Sequence, residues 1–154
     1  MRERWQRVAI LAGTLFLINA IARFIGWQVV SDSAGHQLAI GLVAMAAVSV
    51  VLIAAGYWWT HRYPMPRAIG DLIVAVLVGC LLSTAIGPFA GGSAPGRGGA
   101  AFLIAEVWYY LGLAAVGTAL GILIAIAAGQ DRKSQAWKRY SETVQAKPRR
   151  PVRR

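Results

Sequence analysis

Arg23 and Glu106 are the residues of this sequence best placed for chemistry, because each is a charged side chain within or beside a long apolar segment. Ionisable groups are costly in hydrocarbon, so each one indicates a structural or functional role. In a chain that crosses the membrane four times, both residues fall near the outer interface and can form an ion pair. Asn19 lies one helical turn deeper on the Arg23 face. The pair either locks two helices together or holds an anionic headgroup.

Other residues suggest chemistry more weakly. Asp32 and His36 share one turn with Ser31, but two ligands make a poor metal site, and capping of the next helix explains the turn. The Gly-rich connection 91–99 lacks the Lys followed by Ser or Thr of a phosphate-binding loop. Cys80 is the one cysteine and lies in an apolar run. We therefore predict no catalytic residue, no cofactor, no metal and a non-enzymatic protein.

The segments that carry these residues are long enough to cross a membrane. Hydrophobic residues make up 57% of the chain and charged residues 14%, against roughly 25% charged in soluble domains. A transmembrane helix needs about 20 apolar residues. Four spans meet this requirement, at about 8–30, 38–59, 68–87 and 107–129. The sequence predicts an all-α integral membrane protein, folded as an antiparallel four-helix transmembrane bundle over residues 8–129.

The first segment has an alternative interpretation. Basic residues at Arg2, Arg4 and Arg7 precede an apolar run ending in Ala20-Ile21-Ala22, and this pattern resembles a signal peptide. Since the apolar character continues through residues 24–27, we favour a retained helix. Cleavage would leave three spans with the tail still inside.

Basic residues set the predicted orientation. Residues 1–7, the 60–67 connection and the 130–154 tail hold 14 Lys and Arg, whereas the 31–37 and 88–105 connections hold one, Arg97. Basic loops stay in the cytoplasm, so both termini are predicted there, in the inner or plasma membrane of a cell. Arginine outnumbers lysine 13 to 3, which is typical of a GC-rich bacterial genome. The net charge of +10 does not indicate nucleic-acid binding, because no basic-aromatic surface exists outside the tail.

The cytoplasmic tail, 130–154, divides into two parts. Residues 131–146 fit an amphipathic helix on the inner leaflet, with Trp137, Tyr140 and Val144 on one side. The remainder is predicted to be disordered, and its lipid-facing basic residues are Lys147, Arg149, Arg150, Arg153 and Arg154. They either hold the tail to anionic lipid headgroups or only keep the terminus inside.

Small residues recur at every fourth position in the third and fourth spans. Such stripes let helix backbones approach closely in lipid. The stripes are Ala75, Gly79, Ser83 and Gly87 in the third span, and Gly117, Gly121, Ala125 and Gly129 in the fourth. We expect these two helices to pack along their stripes. Alternatively, one stripe docks a partner membrane protein or a second copy.

Asp71 has a structural explanation. It lies in the first turn of the third span, where the helix dipole favours negative charge. Arg67 precedes it by four residues, and Pro66 suits a helix start.

Two functions follow from these patterns, and no motif selects a known family. The first is a non-enzymatic accessory, scaffold or assembly role, in which the protein packs against partner helices and contacts anionic lipid through its tail. The alternative is a small oligomeric transporter or flippase that handles an anionic headgroup through Arg23 and Glu106. A membrane enzyme acting on lipid would need a nucleophile, base or metal set that the sequence does not supply.

Overall fold

The computed structural model describes residues 2–29, 34–92 and 99–146, and over these residues the chain is helical apart from short connections. Its helices are α1 (Arg2–Val29), α2 (Ala34–Arg62), α3 (Met65–Ala85), α4 (Gly87–Ala90), α5 (Gly99–Ala127) and α6 (Arg132–Ala146). Among them, α1, α2, α3 and α5 are long and apolar enough to cross a membrane. The all-α prediction and the number of candidate spans are therefore confirmed.

The helix ends differ from the predicted spans. α1 begins at Arg2 and α5 at Gly99, six and eight residues before the predicted starts. Both extensions are built mostly from residues that tolerate or favour a helix. α3 instead ends at Ala85, before the predicted end. Pro88 explains this, since it has no N–H to bond the carbonyl of Thr84 and can only start the short α4.

α1 runs alongside α3 and the short α4. Contacts along the two helices, in chain order, are Arg4 with Asp71, Leu15 with Gly79, and Arg23 with Gly87. Because the contacts advance together, α1 and α3 point the same way. Leu15 is completely buried in this interface. Gly79 and Gly87 of the predicted stripe therefore contact α1, and Tyr110 of α5 also lies against Gly79.

α2 and α5 cross with their backbones in close approach. A Cβ built on Gly121 would overlap the carbonyl oxygen of Ile53, and one built on Gly56 would lie 2.8 Å from the carbonyl oxygen of Thr118. The predicted packing of the third span's stripe against the fourth's is thus wrong. Gly56 is the reason, because it gives α2 a small residue that matches Gly121 on α5 and allows closer contact there.

Interior and exterior of the helix group follow the pattern expected for a protein surrounded by lipid. Leu15, Leu52, Leu72 and Val48 are fully buried at its centre. Large apolar side chains face outward on every long helix, as Val43 and Leu81 illustrate, each 69% exposed. Apolar residues on the outside are costly in water and favourable in hydrocarbon.

A tight turn connects α5 to α6. Gly129 follows the end of α5 and has a positive φ of 61°, a conformation that glycine adopts without strain. Asp131 caps α6, since its Oδ2 accepts a hydrogen bond from the backbone N–H of Ser134 at 3.3 Å. Gln135 then reaches the end of α2, with its Nε2 3.0 Å from Nδ1 of His61. The basic segment 147–154 lies outside the described residues.

Candidate functional site

A cavity of about 880 Å³ lies between α1, α2, α3 and α5. Its walls include residues 40–48 of α2 and 105–113 of α5, whereas these helices cross at residues 49–56 and 117–121. The helix group therefore has a tight half, the α2–α5 crossing, and an open half, the cavity. Most of the cavity lining is apolar.

The ion pair in the open half joins α1 to α5. Nη2 of Arg23 contacts Oε1 of Glu106, and the two side chains remain 31% and 22% exposed. Both line the cavity, as does Asn19, whose Nδ2 donates a hydrogen bond to the carbonyl oxygen of Leu15 at 3.2 Å. The structure thus brings together the three residues singled out as a candidate pair or headgroup site. Their polar atoms are accessible from an apolar cavity.

Glycines leave the room that these side chains need. A Cβ built on Gly87 would lie 3.2 Å from Nε of Arg23. At the same end of the helix group, the ring of Trp27 lies against Gly92, and a Cβ there would be 3.0 Å away. Gly87 was predicted as a helix-packing residue, and the structure gives it the additional role of accommodating the Arg23 guanidinium.

Two hydroxyl groups beside the cavity are buried. Ser83 Oγ and Tyr110 Oη have no hydrogen-bond partner among the residues that the structure describes. An unsatisfied buried hydroxyl costs about 1–3 kcal/mol, so both atoms could bind a polar group from outside the chain. Tyr110 is not among the candidate site residues that the sequence analysis identified. Its spacing of four from Glu106 indicates the same helix face and could have linked it to the site.

A second Arg–carboxylate pair lies at the opposite end of α1. Nε of Arg4 donates to Oδ1 of Asp71 at 2.8 Å, and the Asp71 side chain is only 3% exposed. Asp71 lies six residues after the start of α3 at Met65, so its predicted position in the first turn is wrong, and its structural role comes from a different partner. Arg67 does not pair with Asp71. The guanidinium carbon of Arg67 instead lies 4.8 Å from the ring centre of Tyr63. A long-range partner of this kind is invisible to local spacing.

Comparison with known proteins finds no match. No family model matches the chain. No curated protein and no solved structure matches it either. Function must therefore be inferred from the cavity and the side chains around it.

The remaining predicted site residues fall into two groups. The small-residue stripes are buried within the helix group: Ala75, Gly79, Ser83, Gly87, Gly117, Gly121 and Ala125. The basic residues of 147–154 and the turn residues 31–33 lie outside the described part of the chain. Within the described ranges, no group of three or more His, Cys, Asp or Glu side chains comes close enough to hold a metal ion.

Proposed function

We propose that this protein binds a phospholipid-like amphiphile in the open half and acts as a small lipid transporter or flippase. The observation that carries the proposal is the apolar cavity of about 880 Å³ with Arg23, Glu106 and Asn19 in its wall. Ligand sites typically measure about 300–1,000 Å³ and combine an apolar lining with a few polar groups. An amphiphile has the matching division into acyl chains and a polar headgroup.

The ion pair suggests how a headgroup would be held. A guanidinium binds phosphate through several parallel hydrogen bonds, so Arg23 is the residue to receive the phosphate. Glu106 neutralises Arg23 while the cavity holds no lipid, which avoids an unpaired charge in an apolar site. In a zwitterionic lipid, the headgroup amine can donate to Glu106. Ser83 and Tyr110 would supply further hydrogen bonds from beside the cavity.

We further propose that the four long helices cross a cell membrane as an antiparallel bundle with both termini in the cytoplasm. The support is the distribution of basic residues, 14 in the predicted inner segments against one in the outer connections. With this orientation the cavity faces the outer leaflet, and Arg4 and Asp71 lie at the inner surface.

An accessory or scaffold role is the second candidate. α6 supports it, because Trp137 and Tyr140 are 66% and 64% exposed on one helix. The small-residue stripes give it less support, since their residues other than Gly129 are buried within the helix group of this chain. Removing residues 132–154 should abolish co-purification of any partner membrane protein under this role. Under the lipid-binding proposal, the same deletion should leave lipid in the cavity.

Native mass spectrometry of the detergent-purified chain with phosphatidylethanolamine tests the lipid-binding proposal. R23Q removes the phosphate contact, and we expect about tenfold weaker binding, the effect of losing one charged hydrogen-bonding partner. R62Q is the matched control, because it loses the same charge outside the cavity. Equal affinity of R23Q and R62Q would contradict the proposal.

A charge exchange separates lipid binding from helix locking. In R23E/E106R the pair is restored with the opposite polarity, so a purely locking pair should recover the stability that R23E loses. Phospholipid binding should stay weak, since the arginine then extends from α5 and no longer occupies the space beside Gly87 where Arg23 lies. Recovery of both stability and binding would show that the pair only joins α1 to α5.

A further inference from the structure

The end of the helix group where α1 begins holds a second cavity, separate from the open half. It measures about 470 Å³ and is lined by Glu3, Arg4, Arg7, Tyr63 and Arg67. We call it the arginine pocket. α1 supplies three of its residues, and the α2–α3 connection with the start of α3 supplies the other two. None of these five belongs to the phospholipid site proposed above.

The arginine pocket has a surplus of positive charge. Arg4 is paired with Asp71, so the two charges cancel. Arg7 and Arg67 have no carboxylate within salt-bridge distance among the described residues, and Glu3 is the one acidic residue in the lining. The pocket therefore retains one positive charge more than its own acidic groups neutralise. An anion is the ligand that would balance it.

Aromatic rings fix the two unpaired guanidinium groups. Arg7 lies 5.3 Å from the ring centre of Trp58 and donates from Nη1 to the Tyr63 hydroxyl at 2.7 Å. Arg67 lies 4.8 Å from the ring centre of Tyr63. A guanidinium stacked on a ring uses its face for the contact and keeps its in-plane N–H groups available. Both groups are thus held in position before any ligand arrives.

We infer that Arg7 and Arg67 bind the phosphate group of an anionic ligand in the arginine pocket. Phosphate oxygens match the planar donors of arginine, and basic pockets between transmembrane helices hold anionic headgroups by this chemistry. The phosphate can belong to an anionic phospholipid or be free in solution. The position at the end of four long apolar helices gives both sources access.

Lipid binding to the full-length chain in detergent tests this inference. The probes are phosphatidylglycerol, phosphatidylcholine and inorganic phosphate, at about 0.3 M salt to screen the basic tail. R67Q and R7Q each remove one proposed phosphate contact. R62Q is the matched control, because Arg62 loses the same charge and also stacks on Trp58 but does not line the pocket. Thermal unfolding of each variant checks that it is folded.

We expect the wild type to prefer phosphatidylglycerol over phosphatidylcholine by at least fivefold, an effect typical of about one charge at a membrane surface. R67Q and R7Q should abolish the preference, and R62Q should keep most of it. E3Q should strengthen phosphatidylglycerol binding about threefold, because it removes the repelling carboxylate. A gain of this kind cannot come from misfolding.

Competition identifies the source of the phosphate. If millimolar inorganic phosphate displaces phosphatidylglycerol, the pocket accepts free phosphate, and if it does not, the ligand is the lipid headgroup. Equal losses in R62Q and R67Q would overturn the inference, since diffuse surface charge would then explain binding. Absence of both lipid preference and phosphate binding would also overturn it. R23Q should leave this preference unchanged, so failure here is distinguishable from failure of the cavity proposal.

Discussion

The two ends of α1 carry the same kind of ion pair in different surroundings. The carboxylate of Asp71 is 3% exposed, although its partner Arg4 is 39% exposed, whereas both Arg23 and Glu106 are partly exposed, at 31% and 22%. A buried carboxylate cannot lose its partner without a large cost, but an accessible pair can exchange partners with a ligand. Burial of the carboxylate therefore suits the Arg4–Asp71 pair to joining helices, whereas the exposed carboxylate of Glu106 suits the second pair to the proposed ligand contact.

The packing of α2 against α5 also differs between the two halves of the helix group. In the tight half, Gly56 and Gly121 bring α2 and α5 into backbone contact, which leaves no space for another molecule. In the open half, the same two helices line the cavity with larger residues such as Met45, Tyr109 and Leu113. The tight half can hold the helices at a fixed separation so that the open half stays accessible.

The largest expected effect comes from removing the partner of the buried Asp71 carboxylate. R4Q leaves the Asp71 carboxylate without its partner, and we expect a loss of about 3 kcal/mol in the free energy of unfolding. R23Q should lose only about 1 kcal/mol, because both partners there are partly exposed. Reversible unfolding in mixed micelles measures both values. Equal losses would remove the distinction between the two pairs.

The α2–α5 crossing gives the next largest effect. G121A places a methyl group against the carbonyl of Ile53, and overpacking of this kind costs about 1–3 kcal/mol. G112A is the matched control on the same helix, because a Cβ there meets nothing within 4 Å. Unfolding of the two variants should differ clearly. If G121A were as stable as G112A, the close crossing would be incorrect.

A smaller effect is expected where Gly87 contacts Arg23. G87A adds a methyl group 3.2 Å from Nε of Arg23, and the flexible side chain can move away from it. We expect little change in stability but about threefold weaker phospholipid binding, less than the full loss of a charged hydrogen bond. G70A is the control, since its Cβ also meets nothing within 4 Å. An unchanged lipid affinity in G87A would show that the position of Arg23 is unimportant.

The smallest effect concerns the start of α6, which contains neither ion pair. A hydrogen bond with Ser134 lowers the pKa of Asp131 below its ordinary value. A lowered pKa stabilises the cap above the ordinary range, and this contribution is lost as the pH falls through the lowered value. Hydrogen exchange at the Ser134 amide should therefore speed up at acidic pH beyond its intrinsic dependence. D131N should remove this pH dependence, and an unchanged profile would contradict the cap.

The four long helices could be predicted because the apolar pattern that identifies each one is contained in its own segment. Long apolar stretches identify a span without knowledge of its neighbours, so the four candidate spans are predicted from hydropathy alone. The helix ends were predicted less accurately, because helix-forming residues extend α1 and α5 beyond the apolar segments. α3 ends at Ala85, just before Pro88, although the apolar sequence continues beyond this point.

The same patterns did not predict which helices pack together or which charged residues form ion pairs. A small residue such as Gly121 allows close packing against any neighbouring helix. In the structure its neighbour is α2, where Gly56 is also small, rather than α3. Asp71 likewise finds Arg4 at a separation of 67 residues rather than the arginine four positions away. Arg23 and Glu106 were easier to connect, because their charges are isolated near one end of their helices. The cavity around them depends on all four long helices and has no local signature.

Photo-cross-linking tests lipid binding in the open half most directly. The probe is a phosphatidylethanolamine with a diazirine on its acyl chain close to the glycerol, reconstituted with the full-length chain. We expect adducts at cavity residues such as Met45 and Leu113, and their loss in R23Q. Adducts that instead spread over the outward residues Val43 and Leu81, with no change in R23Q, would contradict a lipid site in the cavity.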